Sequence, residues 1–228
     1  MTFRILFPLF PDLTHLDFTG PHQAFANAPG VTVTVASLGG RDITADSGLV
    51  FTGLADLATV EGCDLICVPG GFGTAAAMQD ETYLAQVRRL ALGARYVSSV
   101  CTGSLILGAA GLLKGRRAAC HWAWRELLPV FGATIDEGRV VRDGDLFTGG
   151  GVTAGIDLAL TVIAEVCGDA AAQVVQLSME YAPEPPFNSG RPETAPPEIV
   201  ARMRQRMEAM STERLAAAQA AATVLATA

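Results

Sequence analysis

Charge is scarce in this chain, and basic charge is scarcer than acidic. Only 17% of its 228 residues are Asp, Glu, Lys or Arg, 16 cations face 23 anions, and the formal net charge is −7. No run of Lys or Arg is long enough to follow a phosphate backbone, so nucleic acid is excluded as the main partner. Histidine is limited to His15, His22 and His121. The five cysteines (Cys63, Cys67, Cys101, Cys120 and Cys167) are odd in number and widely spaced. That is no disulfide scaffold, so a reducing cytoplasm is the expected compartment. Cys63 and Cys67 share a strand-like segment, which separates them by about 13 Å, too far to hold one zinc. No metal and no cofactor are expected.

Long apolar runs are also missing. Phe18–Gly40 is uncharged but broken by Pro21, His22, Gln23, Asn27 and Pro29. Tyr96–Leu113 only reaches the lower limit for a span, about 18 residues. It contains Ser98, Ser99, Thr102 and Ser104 and reads as a buried strand feeding a buried helix, so no membrane association is expected. The first residues carry Arg4, Pro8, Pro11 and Asp12 without a small-residue cleavage site, which is not a secretory signal.

What is present is a large core: half the residues are hydrophobic, enough for one domain over residues 1–228. The periodicities predict strands at Phe3–Phe10, Val31–Leu38, Asp64–Val68, Tyr96–Val100 and Arg117–Cys120, and a hairpin over Val140–Phe147. They predict helices at Asp17–Ala28, from Thr74, and at Thr82–Gly93, Thr102–Leu113, Trp122–Phe131 and Thr153–Cys167. Alternation of this kind implies a three-layer α/β/α sandwich around a mostly parallel, doubly wound sheet. Six of the twelve prolines fall between Pro183 and Pro197, which reads as an extended surface strap. A C-terminal helix follows over residues 198–228. Its apolar stripe at Val200, Met203, Met207 and Met210 serves either its own domain or a second copy of the chain.

Two segments, Gly71–Ala76 and Gly149–Ala154, fit a G-x-G-x-x-A pattern. After the first, the next strand ends at Val100-Cys101 without the acidic residue that dinucleotide binding requires, and after the second no strand completes the βαβ unit. No G-x-x-x-x-G-K-[ST] phosphate cradle exists either. Gly70 and Gly71 are better suited to turning backbone N–H groups toward a pocket at the C-terminal edge of the sheet.

Chemistry concentrates at Ser99-Val100-Cys101-Thr102-Gly103. A residue between a buried strand and a helix, with glycine two positions on, has the geometry of a nucleophile elbow, here with sulfur as the nucleophile. A helix N-terminus is expected to lower the Cys101 pKa. Two proton partners fit: His121, just after a short strand, and Asp17 in Leu16-Asp17-Phe18-Thr19-Gly20-Pro21, whose apolar flanks would raise its pKa. Each has a structural alternative, a core histidine beside Trp122 and an N-cap for the first helix.

Together, Leu16-Asp17-Phe18-Thr19-Gly20-Pro21, Val68-Pro69-Gly70-Gly71, Ser99-Val100-Cys101-Thr102-Gly103-Ser104 and Cys120-His121-Trp122 resemble the ThiJ/PfpI-like branch of the class I glutamine amidotransferase-like superfamily. The strap, Glu180-Tyr181-Ala182-Pro183 through Pro185-Pro186-Phe187-Asn188, is similar to that of its isocyanide hydratase group, although regulatory relatives share it. The resemblance implies conversion of a small-molecule isocyanide plus water to an N-substituted formamide through a covalent cysteine thioimidate. Cys101 would be the nucleophile, Asp17 the acid, and Thr102 would hold Asp17 or substrate through its hydroxyl or N–H. Gly71 would supply a further backbone donor. Phe72, Trp122 and Val152 would be pocket walls or, equally, core packing, with His121 beside the substrate. The relatives are commonly homodimers, so a homodimer is expected. Two alternatives stay open: a glyoxalase- or deglycase-like thiol chemistry leaning on His121, and a ligand-sensing module like the N-terminal part of AraC-type regulators.

Overall fold

A computed structural model describes residues 2–227. The central sheet has seven strands: β1 (Phe3–Pro8), β2 (Val31–Ser37), β3 (Ala55–Asp56), β4 (Leu65–Val68), β5 (Tyr96–Val100), β6 (Val140–Asp143) and β7 (Leu146–Gly149). Their spatial order is β6-β7-β5-β4-β1-β2-β3, parallel throughout except for the β6–β7 hairpin. β4 is buried along its whole length and β5 nearly so, as expected of central parallel strands covered on both faces.

Helices α1 (His15–Ala26), α5 (Ala154–Cys167) and α6 (Asp169–Ser178) pack together on one face. On the other lie α2 (Thr74–Ala77), α3 (Glu81–Gly93), α4 (Gly103–Ala109) and α7 (Pro197–Thr227). The three expected layers are therefore present. The chain runs outward from β1 through β2 to β3, then returns to place β4 on the other side of β1. That reversal leaves a crevice beyond the carboxyl ends of β1, β4 and β5, where open α/β sheets bind ligands.

Several boundaries differ from expectation for local reasons. α4 ends at Ala109 rather than Leu113, two residues before Gly111, whose φ of 78° belongs to a left-handed turn. Trp122–Phe131 contains a 3₁₀ segment, Arg125–Phe131, in which Pro129 has no N–H for an α-helical ladder. The strand expected at Arg117–Cys120 is confined to Arg117–Ala118, paired with Thr134–Ile135, whereas Thr134–Ile135 and the pairing of Ile43–Thr44 with Val50–Phe51 have two residues a side, too few to leave a pattern. Residues 183–196 carry neither helix nor strand and are largely exposed, as a strap would be; α7 begins at Pro197, and the expected last helical position, Ala228, lies outside the described residues. No described helix is long and apolar enough to cross a membrane.

Candidate active site

Three turns converge in the crevice. After β1 the chain bridges Leu13 to Gly71 and enters α1, placing Asp17 in the first helical turn. The N-cap is Thr14, so Asp17 is not the cap that its residue type permits. Its carboxylate is fully buried, at 0% exposure. Oδ2 accepts the Gly70 N–H at 3.0 Å, while Oδ1 has no hydrogen-bond partner. A carboxylate with an unsatisfied oxygen in the interior favours its neutral form, and burial pushes Asp17 up to about 7 despite the Gly70 N–H and the Cys101 thiol.

After β4, Pro69-Gly70-Gly71 forms the second turn. A side chain on Gly70 would meet the Thr102 N and Oγ1 at 2.5 Å and Asp17 Oδ2 at 2.9 Å, so glycine is what lets this turn lie against the site. The backbone donors expected to face substrate are already engaged. The Gly70 N–H goes to Asp17, and the Gly71 N–H goes to Thr102 Oγ1 at 3.0 Å. Gly71 is therefore not a free donor, because the side chains it meets satisfy it first. Thr102 Oγ1 also lies 2.8 Å from Thr74 Oγ1, so its hydroxyl braces the turn and makes no hydrogen bond to Asp17.

After β5 comes Cys101 at φ 59°, left-handed backbone for a residue with a side chain, and so the strained elbow the motif predicts. Its N–H donates to the carbonyls of Gly149 and Gly150, at 3.1 and 2.9 Å. Gly103 passes so close to the Val68 and Pro69 carbonyls that a Cβ there would collide with them. The backbone N–H groups of Thr102 and Val152 hold the Cys101 sulfur and lower its pKa, but burial and then the Asp17 charge outweigh them and push the thiol up. The expected lowering by the helix terminus is thus reversed: α4 has only seven residues, and desolvation dominates. The two groups titrate together, and when Asp17 is neutral its opposition to a thiolate vanishes.

A cavity of about 450 Å³ opens beside the elbow, lined by Cys120, His121, Arg139, Val152 and Arg191 among others. Val152 has a φ of 23°, a second strained position in the same wall. His121 is held neutral, its pKa pushed down to about 4 by burial and by Arg214, and its Nδ1 accepts the Ala123 N–H at 3.3 Å. No hydrogen bond joins it to Cys101 among the described residues. Trp122 lines neighbouring cavities between the strap and α7. Phe72 is not brought to the site: it lies in the turn after Gly71 and is 56% exposed. Among the described residues no cluster of His, Cys, Asp or Glu could hold a metal.

Sequence reasoning passed over Thr74 and Arg214. Thr74 carried a readable signal, a hydroxyl residue directly after a glycine turn. Arg214 carried one in its position, four residues after Met210 on the apolar stripe, against a charge that reads as solvent-facing. It is nevertheless buried, and Nη2 donates to the Gly71 carbonyl at 2.5 Å.

Known proteins resemble the chain as a whole. The model of the DJ-1/PfpI family matches residues 3–165. An isonitrile hydratase of Pseudomonas putida is 52% identical over 209 residues, spanning 90% of this chain and 90% of that protein. The crystal structure of a ThiJ/PfpI family protein from Pseudomonas syringae superposes with a TM-score of 0.93 at 39% identity, covering 96% of this chain and 91% of that one. The HTH-type transcriptional regulator CdhR of Pseudomonas aeruginosa is 32% identical over 151 residues, 64% of this chain and 44% of that protein.

Proposed function

The chain belongs to the DJ-1/PfpI family, and within it we propose that this protein is an isocyanide hydratase, converting an isocyanide and water to an N-substituted formamide. The observation that carries the reading is the pairing of a strained, buried cysteine with a buried carboxyl pushed up to about 7, in a chain 52% identical to an isonitrile hydratase.

An isocyanide has no leaving group at its terminal carbon, so the reaction needs a sulfur nucleophile and a movable proton. Asp17 takes the thiol proton as Cys101 Sγ bonds to the terminal carbon. It then returns that proton to the carbon, giving the thioimidate R–N=CH–S–Cys101. The Asp17 carboxylate next removes a proton from water as the hydroxyl adds to that carbon, and passes the proton to the imine nitrogen. The tetrahedral adduct R–NH–CH(OH)–S–Cys101 loses its hydroxyl proton to Asp17 as the C–S bond breaks. Formamide leaves, and Asp17 and Cys101 again share one proton. A carboxyl near 7 suits this work because it both gives and takes a proton at neutral pH.

The N–H groups of Thr102 and Val152 hold sulfur charge during the attack and the expulsion. Val152 and His121 form the wall beside the substrate, and Gly71 fixes the turn through Thr102. No cofactor is required. Five unpaired cysteines support a reducing cytoplasm as the working compartment, and a second copy of the chain is the expected macromolecular partner.

The test mixes purified protein with para-nitrophenyl isocyanide and, separately, methylglyoxal, with product detection and intact mass. Formamide formation that disappears in Cys101→Ala is the expected result. Turnover of methylglyoxal alone, or of neither compound, would overturn the reading.

A further inference from the structure

Arg214 lies in the second half of α7 and is 3% exposed. Taking a guanidinium out of water is costly unless an opposite charge lies nearby. None of the ion pairs among the described residues includes it. Its contacts are a carbonyl and a ring: Nη2 donates to the Gly71 oxygen at 2.5 Å, and the guanidinium sits 4.2 Å over the centre of Trp124. Both stabilise a cation, and neither carries net charge.

The ionisable groups around it come from every neighbouring element. Glu213, on the same helix, is exposed and screened by water. Cys120 is held up at about 11 and His121 down at about 4, so both are neutral near pH 7. Asp46 acts on Asp17 from beyond, bound to the Thr14 hydroxyl at 2.6 Å. What remains to act on the guanidinium is the pair Cys101 and Asp17, and Asp17 is tied to Gly70, the neighbour of the Gly71 carbonyl that Arg214 clasps.

We propose that Arg214 is a positioning residue that supplies the counter-charge for the single negative charge shared by Asp17 and Cys101, and clasps the Gly71 carbonyl so that the glycine turn keeps its hold on Asp17 and Thr102. The proposal rests on Cys101 and Asp17 being the reacting pair. It does not depend on which electrophile they meet, and its test avoids the isocyanide for that reason.

The experiment follows the alkylation rate of Cys101 by iodoacetamide against pH, read on the Cys101 peptide by mass spectrometry. The proteins are the parent, Arg214→Lys, Arg214→Gln and Arg214→Met, each with a thermal melt. Gln keeps a donor for the Gly71 carbonyl without the charge, so it decides the matter if Met fails to fold. The expected result is an upward shift of the midpoint by about one pH unit in Gln and Met, which is about tenfold slower alkylation below the midpoint. Lys is expected within about half a unit of the parent, since it restores the charge. A Gln profile that superposes on the parent's, or a Lys profile displaced as far as Gln, would overturn the counter-charge. Failure of isocyanide hydration in the parent would leave these profiles unchanged and would count only against the substrate.

Discussion

Asp17 Oδ2 accepts the backbone N–H of Gly70 at 3.0 Å, joining the first turn of α1 to the turn after β4 across 53 positions of sequence. That bond holds one carboxylate oxygen and leaves the other for proton transfer. Asp17→Asn keeps an acceptor for Gly70 and removes the titratable proton. Formamide production is therefore expected to fall at least about 100-fold, while iodoacetamide still modifies Cys101. Undiminished turnover, measured by product chromatography, would reduce Asp17 to a structural tie.

The same carboxyl sets a pH dependence of stability. Its pKa rises from an ordinary 3.8 to about 7 on folding. Below both values the carboxyl is protonated folded and unfolded, and there is no penalty. Between them the folded state holds the extra proton, so stability falls as pH rises, by a few kcal/mol in all at roughly 1.4 kcal/mol per unit. Asp17→Asn is expected to raise the melting temperature above pH 7 and to leave it nearly unchanged near pH 4. Equal melting shifts at both pH values would contradict the raised pKa.

Gly70→Ala puts a methyl group 2.5 Å from Thr102 N, a backbone atom that cannot swing aside. The turn must move, and with it the groups that hold Asp17 and Thr102. A loss of about 2 kcal/mol or more in stability is expected, as for other forced overpacking, together with loss of hydration. Urea unfolding and the formamide assay check both.

Cys101 holds φ 59°, which costs an L-residue roughly 1–2 kcal/mol. Both Cys101→Ala and Cys101→Gly are expected to abolish turnover, the first keeping that strain and the second relieving it. Calorimetry is expected to show the Gly variant melting above the Ala variant. The reverse order would mean that lost side-chain packing outweighs the backbone.

The apolar stripe read along α7 divides in the fold. Met207 is buried and Met210 packs against its own core, while Met203 stays exposed. Larger uncovered groups lie elsewhere, with Leu177 of α6 at 81% and Phe187 of the strap at 77% exposure. Light scattering at micromolar concentration is expected to give the mass of two chains. A single-chain mass would overturn the homodimer.

The central strands, the strained turn at Cys101 and the burial of Asp17 were legible because each writes a local signal: an apolar run, a strand–Cys–x–Gly turn, an acid among apolar neighbours. The sign of the Cys101 shift was not, because it depends on α4 ending after seven residues and on how much water the folded crevice excludes. The Gly71 N–H looked available because its acceptor, Thr102 Oγ1, lies 31 positions away. Phe72 has the composition of a pocket wall, yet the turn aims it outward. Arg214 is 143 positions from the carbonyl it binds; it continues the stripe of Met203, Met207 and Met210, but a charged residue type reads as solvent-facing.

Residues 17, 70, 74, 102, 152 and 214 close around Cys101 from nearly the full span of the chain. Contacts so distant in sequence form late in folding, after the entropy of many loop closures has been met. The thiol therefore emerges from synthesis long before its surroundings exist, and on the proposed reading catalysis is expected to arrive with the last helix rather than with the elbow that bears the sulfur. In a refolding experiment, recovery of catalysis would trail recovery of sheet ellipticity, making turnover a reporter of complete folding.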